Sequence, residues 1–276
     1  MKGKLHITYV LKVFEETQIL KKLAFKGGTA LRKCIYGKET RFSLDLDFTR
    51  IDQKTNPDDL ILEVVQNLRK SAYGIQFNVA VKDFYVTDDQ SACGAVIRYR
   101  HDWHEAFFKL EISLRETPSL PLVSMPLKAQ AYFKYLEFSP FSVPCLQFEE
   151  LLAEKIRAAA QRVRSRDLYD LAQAAEKPFI ANLIRALTVT KFWNVRDIFD
   201  PQRFLEKIQS SRYDWDDLKQ LLRRSGRIDS KKLIGNCQRR YQFLKNLTED
   251  EKRMIADAKR HRLKEDFILS NCHNLF

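Results

Sequence analysis

FKGGTALRKCIYGKETRFSLDLDF, residues 25–48, joins a glycine pair to a short acidic segment. Its last eight residues alternate between apolar and polar side chains, which predicts a β-strand with one buried and one polar face. Ser43, Asp45 and Asp47 lie on the predicted polar face. The apolar side chains on the other face are Phe42, Leu44, Leu46 and Phe48.

The carboxylates of Asp45 and Asp47 sit on alternate residues, so a strand would point both in one direction. Mg²⁺ is commonly held by one or two protein carboxylates together with substrate phosphates. The pair therefore predicts a site for one or two Mg²⁺ ions, with Mn²⁺ as a substitute. The alternative is an amphipathic edge strand whose aspartates only meet solvent.

Gly27 and Gly28 directly precede TALRKCIY, a segment that predicts the start of a helix. Glycine backbone lacks Cβ, so it can approach a phosphate closely and present N–H groups to it at a helix N-terminus. This favours a phosphate-binding turn next to the predicted metal site. A glycine pair is also common in ordinary turns, and that reading stays open.

Outside this stretch, the first half of the chain mixes helix and strand patterns. A helix is predicted over residues 57–72. Strands are predicted over 74–86, 95–100 and 107–114 from their β-branched and aromatic residues. The prolines of residues 117–126 end this pattern.

From residue 147 onward the pattern is helical. Apolar side chains recur at spacings of four, three and four from Leu152 to Val163, as in an amphipathic helix. Thr248 and Glu251 form a capping-box pattern ahead of a final helix through Phe267.

The predicted fold class is α+β (mixed α/β), in two lobes. Residues 1–146 form a catalytic α/β lobe with a mixed sheet. Residues 147–276 form a basic helical lobe that completes the active-site cleft.

The charge of the chain favours polyanionic partners. The net charge is +12, and residues 147–276 hold 27 Lys and Arg against 19 Asp and Glu. Such an excess attracts nucleic acid, although many basic proteins bind none. The sequence contains no apolar run of the length that a membrane helix requires and no signal-peptide pattern, so we expect a cytoplasmic protein with no membrane partner.

The order of strand, Gly-Gly, helix and Asp-x-Asp strand resembles the DNA polymerase β-type nucleotidyltransferase superfamily. More narrowly, KGGTALR followed by RFSLDLDF resembles the AbiEii/AbiGii toxin family, which includes the MenT toxins. The wider superfamily has Gly-Ser where this chain has Gly27-Gly28, so Thr29 is the candidate to supply the missing hydroxyl.

The same resemblance implies a third carboxylate on a neighbouring strand. Glu111 in FFKLEISL is the candidate, as a metal ligand or as the base that accepts the proton of the acceptor hydroxyl. A surface glutamate paired with Lys109 or Arg115 is an equally open interpretation.

FEELLAEKIRAAAQRVRSRDLYDL, residues 148–171, supplies a second set of charged residues. At 100° per residue, Lys155, Arg162 and Arg166 would share a narrow sector of one continuous helix, where three cations suit a triphosphate. The alternative is a solvated basic helix face, or a break in which Ser165 caps a new helix at Arg166.

This segment resembles the second block of the same family. The resemblance implies that Lys155 contacts the triphosphate and that Asp167 belongs to the site, with Asp170 as a local cap or partner. Three residues of the first lobe are further candidates for nucleotide contact or for flanking the acidic site: Lys26, Arg41 and Ser43.

The activity implied by the resemblance is Mg²⁺-dependent transfer of a nucleoside monophosphate from an NTP to RNA, such as the 3′ end of tRNA. The protein would then be a toxin with a cognate antitoxin protein, and the oligomeric state stays open. Three alternatives remain: transfer to a protein or small-molecule hydroxyl, transfer of the γ-phosphoryl group, and a nucleic-acid-binding module with an inactive catalytic lobe.

Overall fold

The computed structural model describes residues 5–51, 53–68, 73–80, 83–101, 104–222 and 227–270. The chain divides into two compact units, residues 1–147 and 148–276. In the described residues the first unit combines a mixed sheet with helices, and the second is helical. The predicted α+β (mixed α/β) fold class is confirmed.

Eight strands form one mixed sheet in the described part of the first unit. They are β1 (Leu23–Lys26), β2 (Leu46–Arg50), β3 (Gln76–Asn78), β4 (Phe84–Val86), β5 (Ala92–His101), β6 (His104–Ser113), β7 (Val123–Pro126) and β8 (Ser142–Cys145). Their order is β3-β5-β6-β2-β1-β8-β7, and β4 also pairs with β5. The β2–β6 and β1–β8 pairs are parallel, whereas the other pairs are antiparallel.

The helices of the first unit are α1 (Leu5–Glu16), α2 (Gly27–Ala30) and α3 (Pro57–Leu68). A π-helical stretch, Leu31–Tyr36, follows α2 directly, so the predicted helix after the glycines is present and includes both of them. The α3 prediction is confirmed through Leu68, and residues 69–72 lie outside the described residues. The Asn56 side chain caps this helix by accepting a hydrogen bond from the Asp58 N–H at 2.8 Å.

Two of the strand predictions are confirmed as parts of the longer strands β5 and β6, but the prediction of one strand over 74–86 is wrong. A turn in which the Asp83 N–H donates to the Ala80 carbonyl at 2.9 Å interrupts it. The two resulting strands, β3 and β4, pair with different parts of β5. Both strands run antiparallel to β5 in the same direction, and more residues separate them than separate their partners on β5, so one regular strand cannot pair along the whole stretch.

The predicted strand over residues 42–48 is shorter than its alternation suggested, because β2 begins at Leu46. Leu46 and Phe48 are buried as expected, whereas Leu44 is 43% exposed and Phe42 is only half-buried. The Arg32 guanidinium donates to the carbonyls of Thr40 and Arg41 at 2.6 and 3.0 Å, which holds the chain before β2 outside the strand ladder.

The proline-punctuated segment contains β7, so the prediction that strands end there is wrong. β7 lies at the edge of the sheet, with Pro126 at its last position. Proline is tolerated on edge strands because its missing N–H removes no bond from a ladder on the outer side.

The predicted helical second half is confirmed in the described residues. Its helices are α4 (Phe148–Gln161), α5 (Ser165–Ala175), α6 (Ala181–Asn194), α7 (Pro201–Ser210), α8 (Trp215–Leu221), α9 (Ser230–Arg240), α10 (Glu249–Asp257) and α11 (Asp266–Leu269). Among all described helices, none combines the length and the apolar character that crossing a membrane requires.

The capping box at the start of α10 is confirmed: the Thr248 hydroxyl accepts from the Glu251 N–H, and the Glu251 carboxylate accepts from the Thr248 N–H. The predicted continuation of this helix to Phe267 is wrong. The helix ends at Asp257, whose carboxylate accepts hydrogen bonds from the N–H groups of Arg262 and Leu263 and so stabilises a turn.

The core of the second unit contains a fully buried ion pair. The Lys191 ammonium on α6 lies 2.6 Å from the Glu150 carboxylate on α4, and both side chains are shielded from solvent. Breaking such a pair leaves an uncompensated buried charge, so it fixes how α4 and α6 pack.

Candidate active site

One row of residues crosses five neighbouring strands of the first unit. The strand register places Lys26 opposite Asp47, Asp47 beside Glu111, Glu111 opposite Gly94 and Gly94 opposite Tyr85. Directly paired residues on adjacent strands point to the same face, at a strand separation of about 4.8 Å. The fold therefore brings Asp47 and Glu111 together on one face, although 64 residues separate them in sequence.

Glu111 is exposed on this face. The described residues include no ion pair between Glu111 and either Lys109 or Arg115. Of the two open interpretations of this glutamate, its place beside Asp47 favours the functional one. Its assignment as metal ligand or base stays a prediction.

Gly27 packs directly against the acidic site. It has a φ of +74°, and a Cβ built at this position would lie 2.1 Å from Oδ2 of Asp47. Both the backbone conformation and the lack of space require glycine here. The first glycine of the pair thus sets how closely the helix start approaches the Asp47 carboxylate.

Gly28 makes a second close approach. A Cβ on Gly28 would lie 2.6 Å from Nη2 of Arg41 and 3.1 Å from the Ser43 hydroxyl. Arg41 is buried, and its guanidinium also donates to the Phe42 carbonyl at 3.1 Å. The glycine pair is therefore flanked by a carboxylate on one side and by a guanidinium and a hydroxyl on the other.

Thr29 ties these parts together from the interior. It is fully buried, its hydroxyl donates to the Asp45 carbonyl, and it is hydrogen-bonded to the Ser43 hydroxyl at 2.9 Å. These contacts give Thr29 a positioning role for the segment that carries the aspartates. Direct nucleotide contact by Thr29 and Ser43 stays a prediction.

Asp45 precedes β2 and is oriented by the neighbouring strand, since its Oδ1 accepts from the Lys109 N–H at 3.4 Å. Both Asp45 and Asp47 are partly exposed. Carboxylates are hard oxygen ligands of the kind that Mg²⁺ prefers, so Asp45 and Asp47 suit a Mg²⁺ ion by their chemistry, and their role as its ligands stays a prediction. In the part of the chain that the structure describes, no three His, Cys, Asp or Glu side chains are grouped to hold a metal ion.

The second unit contains a separate cluster of charged residues. The Lys155 ammonium on α4 lies 3.2 Å from Oδ1 of Asp167 and 2.9 Å from Oδ2 of Asp170. Nε of Arg162 lies 2.7 Å from Oδ2 of Asp167. Both aspartates are buried on α5, whereas Arg162 is largely exposed.

Asp167 is the centre of this cluster. Burial raises the pKa of its carboxyl, but Lys155 and Arg162 lower it more strongly, to about 2. The carboxylate is therefore charged at neutral pH and fixes the Lys155 ammonium in place. Lys155 therefore pairs with both Asp167 and Asp170, as expected of Asp170 as a local partner, and its contact with a triphosphate stays a prediction.

The structure has the alternative break between two helices, so the predicted sector of three cations on one continuous helix is wrong. α4 ends at Gln161, where the Lys207 ammonium donates to the Ala160 carbonyl at 2.6 Å and so satisfies a free carbonyl of the last turn. α5 then begins at Ser165, with Arg164 as its N-cap, so Ser165 does not cap a helix at Arg166. Arg162 folds onto Asp167 in the connection, and half-buried Arg166 lies in the first turn of α5.

Sequence reasoning missed two residues of the row across the sheet. A Cβ on Gly94 would lie 2.9 Å from the Tyr85 hydroxyl and 2.5 Å from the Leu110 carbonyl. Partial burial raises the pKa of Tyr85, and the Glu111 carboxylate raises it further, which places this hydroxyl near Glu111. A glycine inside a strand pattern often marks such a close approach, so Gly94 is the sequence feature that could have indicated this contact.

The family model described as nucleotidyl transferase AbiEii toxin, type IV toxin–antitoxin system, matches residues 10–268. The chain belongs to the AbiEii family. No curated protein matches it by sequence.

Solved structures support the same assignment. The AbiEii-family chain is similar to MenT4, a nucleotidyltransferase toxin from Mycobacterium tuberculosis H37Rv, with 25% identity, a TM-score of 0.75 and coverage of 98% of this chain and 99% of MenT4. Two Helicobacter pylori proteins share the fold at 22% identity. A putative nucleotidyltransferase has a TM-score of 0.52 with 90% and 97% coverage, and JHP933 has a TM-score of 0.54 with 93% and 98%.

These findings confirm the resemblance noted from the glycine and Asp-x-Asp motifs. The protein is a nucleotidyltransferase, the toxin component of a type IV toxin–antitoxin system. The family implies an NTP substrate and a cognate antitoxin. Nucleotidyltransferases generally use divalent metal ions.

Proposed function

We propose that this AbiEii-family toxin transfers a nucleoside monophosphate from an NTP to RNA, with the 3′ end of tRNA as the acceptor, in a Mg²⁺-dependent reaction in the cytoplasm. The observation that carries the proposal is the placement of Asp47 between Gly27 and Glu111. A carboxylate pair, a close backbone approach to one of its members and a carboxylate on the adjacent strand are groups that nucleotidyl transfer uses.

Asp45 and Asp47 would hold one or two Mg²⁺ ions, with Mn²⁺ as a substitute. Bound there, the metal would neutralise charge on the triphosphate as pyrophosphate leaves. Thr29 and the Lys109 N–H keep the Asp45 segment in position, and the close contact with Gly27 limits where the Asp47 carboxylate can lie. Most of the rate acceleration would come from positioning and electrostatics.

The acceptor hydroxyl attacks the α-phosphate, forming a new O–P bond while the bond between the α-phosphate and the pyrophosphate oxygen breaks. Glu111 lies beside Asp47 and would accept the hydroxyl proton. No covalent enzyme intermediate is needed.

The nucleotide would meet cationic and hydroxyl groups beside the glycines. Arg41 and Ser43 border Gly28, and Lys26 pairs across the strands with Asp47. Guanidinium groups are suited to phosphate oxygens, because their planar donors match two oxygens at once.

We assign the charged cluster of α4 and α5 a part in the same reaction on the strength of the family resemblance. Lys155 would contact the triphosphate, with Arg162 and Arg166 as further cations. Asp167 orients Lys155 through the contact at 3.2 Å and thus limits where this ammonium can point.

Position-specific labels test this proposal. The protein is incubated with NTPs labelled at the α- or the γ-phosphate and with total RNA, and the label on RNA, protein and small molecules is measured. We expect α-label on RNA, none with Asp47→Asn, and loss of transfer when divalent ions are chelated. Label on protein or on a small molecule alone would contradict the RNA acceptor, and γ-label incorporation would show phosphoryl transfer instead.

A further inference from the structure

The β5–β6 hairpin extends well past the aspartates. β6 runs from His104 to Ser113, but its pairing with β2 starts only at Leu110. The six residues before Leu110 continue along β5 alone, over roughly 20 Å at the usual rise of a strand. The hairpin therefore provides an arm that begins at the catalytic carboxylates and leads away from them.

One face of this arm is open. Phe107 and Lys109 lie on the same face as Glu111, because side chains of a strand alternate, and Arg98 pairs directly across from Phe107. Phe107 is 63% exposed, and the Arg98 side chain is 59% exposed. An exposed aromatic ring beside an arginine thus lies on the face that carries Glu111.

The face also contains a hollow of about 430 Å³. Its lining on this arm and on β3 includes Arg98, Arg100, Phe107, Asn78 and Gln76. These side chains offer a ring for stacking, guanidinium groups for phosphates and amides for the edges of bases.

Arg98 and Arg100 already contact polar side chains near this face. Nε of Arg98 lies 3.5 Å from Asp83, and Arg100 lies 3.9 Å from Glu105 while donating to Gln76 at 2.8 Å. The Arg100–Glu105 pair is exposed on both sides and contributes little to stability, so a phosphate can replace Glu105 at small cost, whereas the Asp83 side chain is only 12% exposed and keeps Arg98 near the face. These contacts hold the two arginines at the face, where more than half of each side chain stays exposed to a ligand.

We propose that this face of the β5–β6 hairpin binds the single-stranded 3′ segment of the RNA acceptor, with an unpaired base stacked on Phe107 and its backbone phosphates on Arg98 and Arg100. The proposal rests on the proposed function, since it assumes an RNA acceptor at Glu111. Four residues, or about 13 Å, separate Phe107 from Glu111 along β6, so the bound segment would lead into the reacting end.

The chemistry of the face favours a single strand over a duplex. Bases inside a duplex are stacked on each other and offer no free ring face, whereas an unpaired base can stack on an aromatic side chain. Arginine adds attraction for the backbone regardless of sequence.

Binding of a fluorescent single-stranded oligoribonucleotide of about ten nucleotides to the full chain tests the proposal by anisotropy. We expect Phe107→Ala to weaken binding roughly tenfold or more, and Phe107→Tyr to retain it because the ring is kept. Arg98→Ala should make the slope of log K against log salt concentration shallower, by the amount expected for the loss of about one phosphate contact. Circular dichroism of each variant shows that it is folded.

Tyr135→Ala is the matched control. Tyr135 is an equally exposed aromatic residue of the same unit, at 62%, and the Lys134 ammonium lies 4.9 Å from its ring. We expect wild-type RNA binding from this variant. An equal loss for Tyr135→Ala and Phe107→Ala, or no loss for folded Phe107→Ala, would overturn the proposal.

Steady-state transfer kinetics separate this inference from the proposed function. If RNA is the acceptor and the hairpin binds it, Phe107→Ala raises the KM for RNA and leaves the KM for NTP unchanged. An unchanged KM for RNA would overturn the hairpin inference while transfer to RNA still stands. Absence of transfer to any RNA by the wild-type protein would overturn the proposed function, and with it the acceptor role assigned to the hairpin.

Discussion

Replacing Gly27 with alanine tests how the glycine turn controls the acidic site. The added Cβ would lie 2.1 Å from Oδ2 of Asp47, so this carboxylate must move by about 1 Å to reach a normal contact distance. A misplacement of this size at a reacting group costs on the order of 10²-fold in rate. We therefore expect Gly27→Ala to lower nucleotide transfer by about two orders of magnitude.

The same substitution also strains the backbone, because the φ of Gly27 is +74°. A left-handed conformation costs a residue with a Cβ roughly 1–2 kcal/mol. Gly74→Ala is a matched control: its φ is +69°, and a Cβ there meets nothing within 4 Å. Gly74→Ala should lose only the free energy of this backbone strain. Gly27→Ala should lose more, because its Cβ also lies 2.7 Å from Cβ of Asp47, and only Gly27→Ala should lose activity.

Denaturant unfolding and initial rates of α-label transfer measure the two effects separately. Transfer by Gly27→Ala at the wild-type rate would refute the inference that this glycine positions Asp47. Equal losses of activity in both variants would show that backbone strain, rather than the contact with Asp47, is responsible.

Three further predictions concern the second unit. Because the pKa of Asp167 is lowered to about 2, its ionised carboxylate contributes about 2 kcal/mol to the free energy of unfolding above about pH 4, and this contribution is lost as the pH falls towards 2. Between pH 4 and pH 2 the free energy of unfolding of the wild type should therefore fall by about 2 kcal/mol more than that of Asp167→Asn. Lys191→Met leaves Glu150 buried without its cation, which should lower stability by about 3–5 kcal/mol in denaturant unfolding, and a Glu150→Leu/Lys191→Met double variant should recover most of it. Thr248→Ala removes an N-cap and should cost about 1 kcal/mol; a thermal melt equal to wild type would contradict the role of the capping box.

Local sequence patterns correctly predicted the helices and strands that depend mainly on residues close to one another in the chain. The β-branched and aromatic residues of β5 and β6 and the capping signal of α10 identify structure that short-range chemistry determines. The strand prediction for residues 42–45 was wrong because the Arg32 side chain, from an earlier segment, donates to the carbonyls just before these residues and holds them outside the strand pairing. Alternation in sequence carries no information about such a contact.

The candidate site also combines features that one short stretch of sequence reveals with a feature that depends on distant segments. Asp45, Asp47 and the glycines are recognisable from one short stretch of sequence, and family resemblance pointed to Glu111. The pairing of Asp47 with Glu111 follows from a parallel strand pair between segments far apart in the chain. No periodicity within either segment specifies which strands become neighbours.

The charged cluster of α4 and α5 illustrates the limit of helical-wheel reasoning. The angles of Lys155, Arg162 and Arg166 agree on one face only if the helix continues, and it ends at Gln161. The resulting turn places Arg162 against Asp167 and gives an ion-paired cluster instead of three aligned cations. The ion pairs that form after the helix break therefore determine where these side chains lie.

Intact mass spectrometry of the RNA after reaction tests the central claim most directly. Purified tRNA is incubated with the protein, NTPs and Mg²⁺, beside tRNA whose 3′ diol has been destroyed by periodate and beside the Asp47→Asn variant. We predict that intact tRNA gains the mass of one or more nucleoside monophosphates, and that both controls keep their starting mass. An unchanged tRNA mass with wild-type protein, or the same gain with Asp47→Asn, would contradict the account.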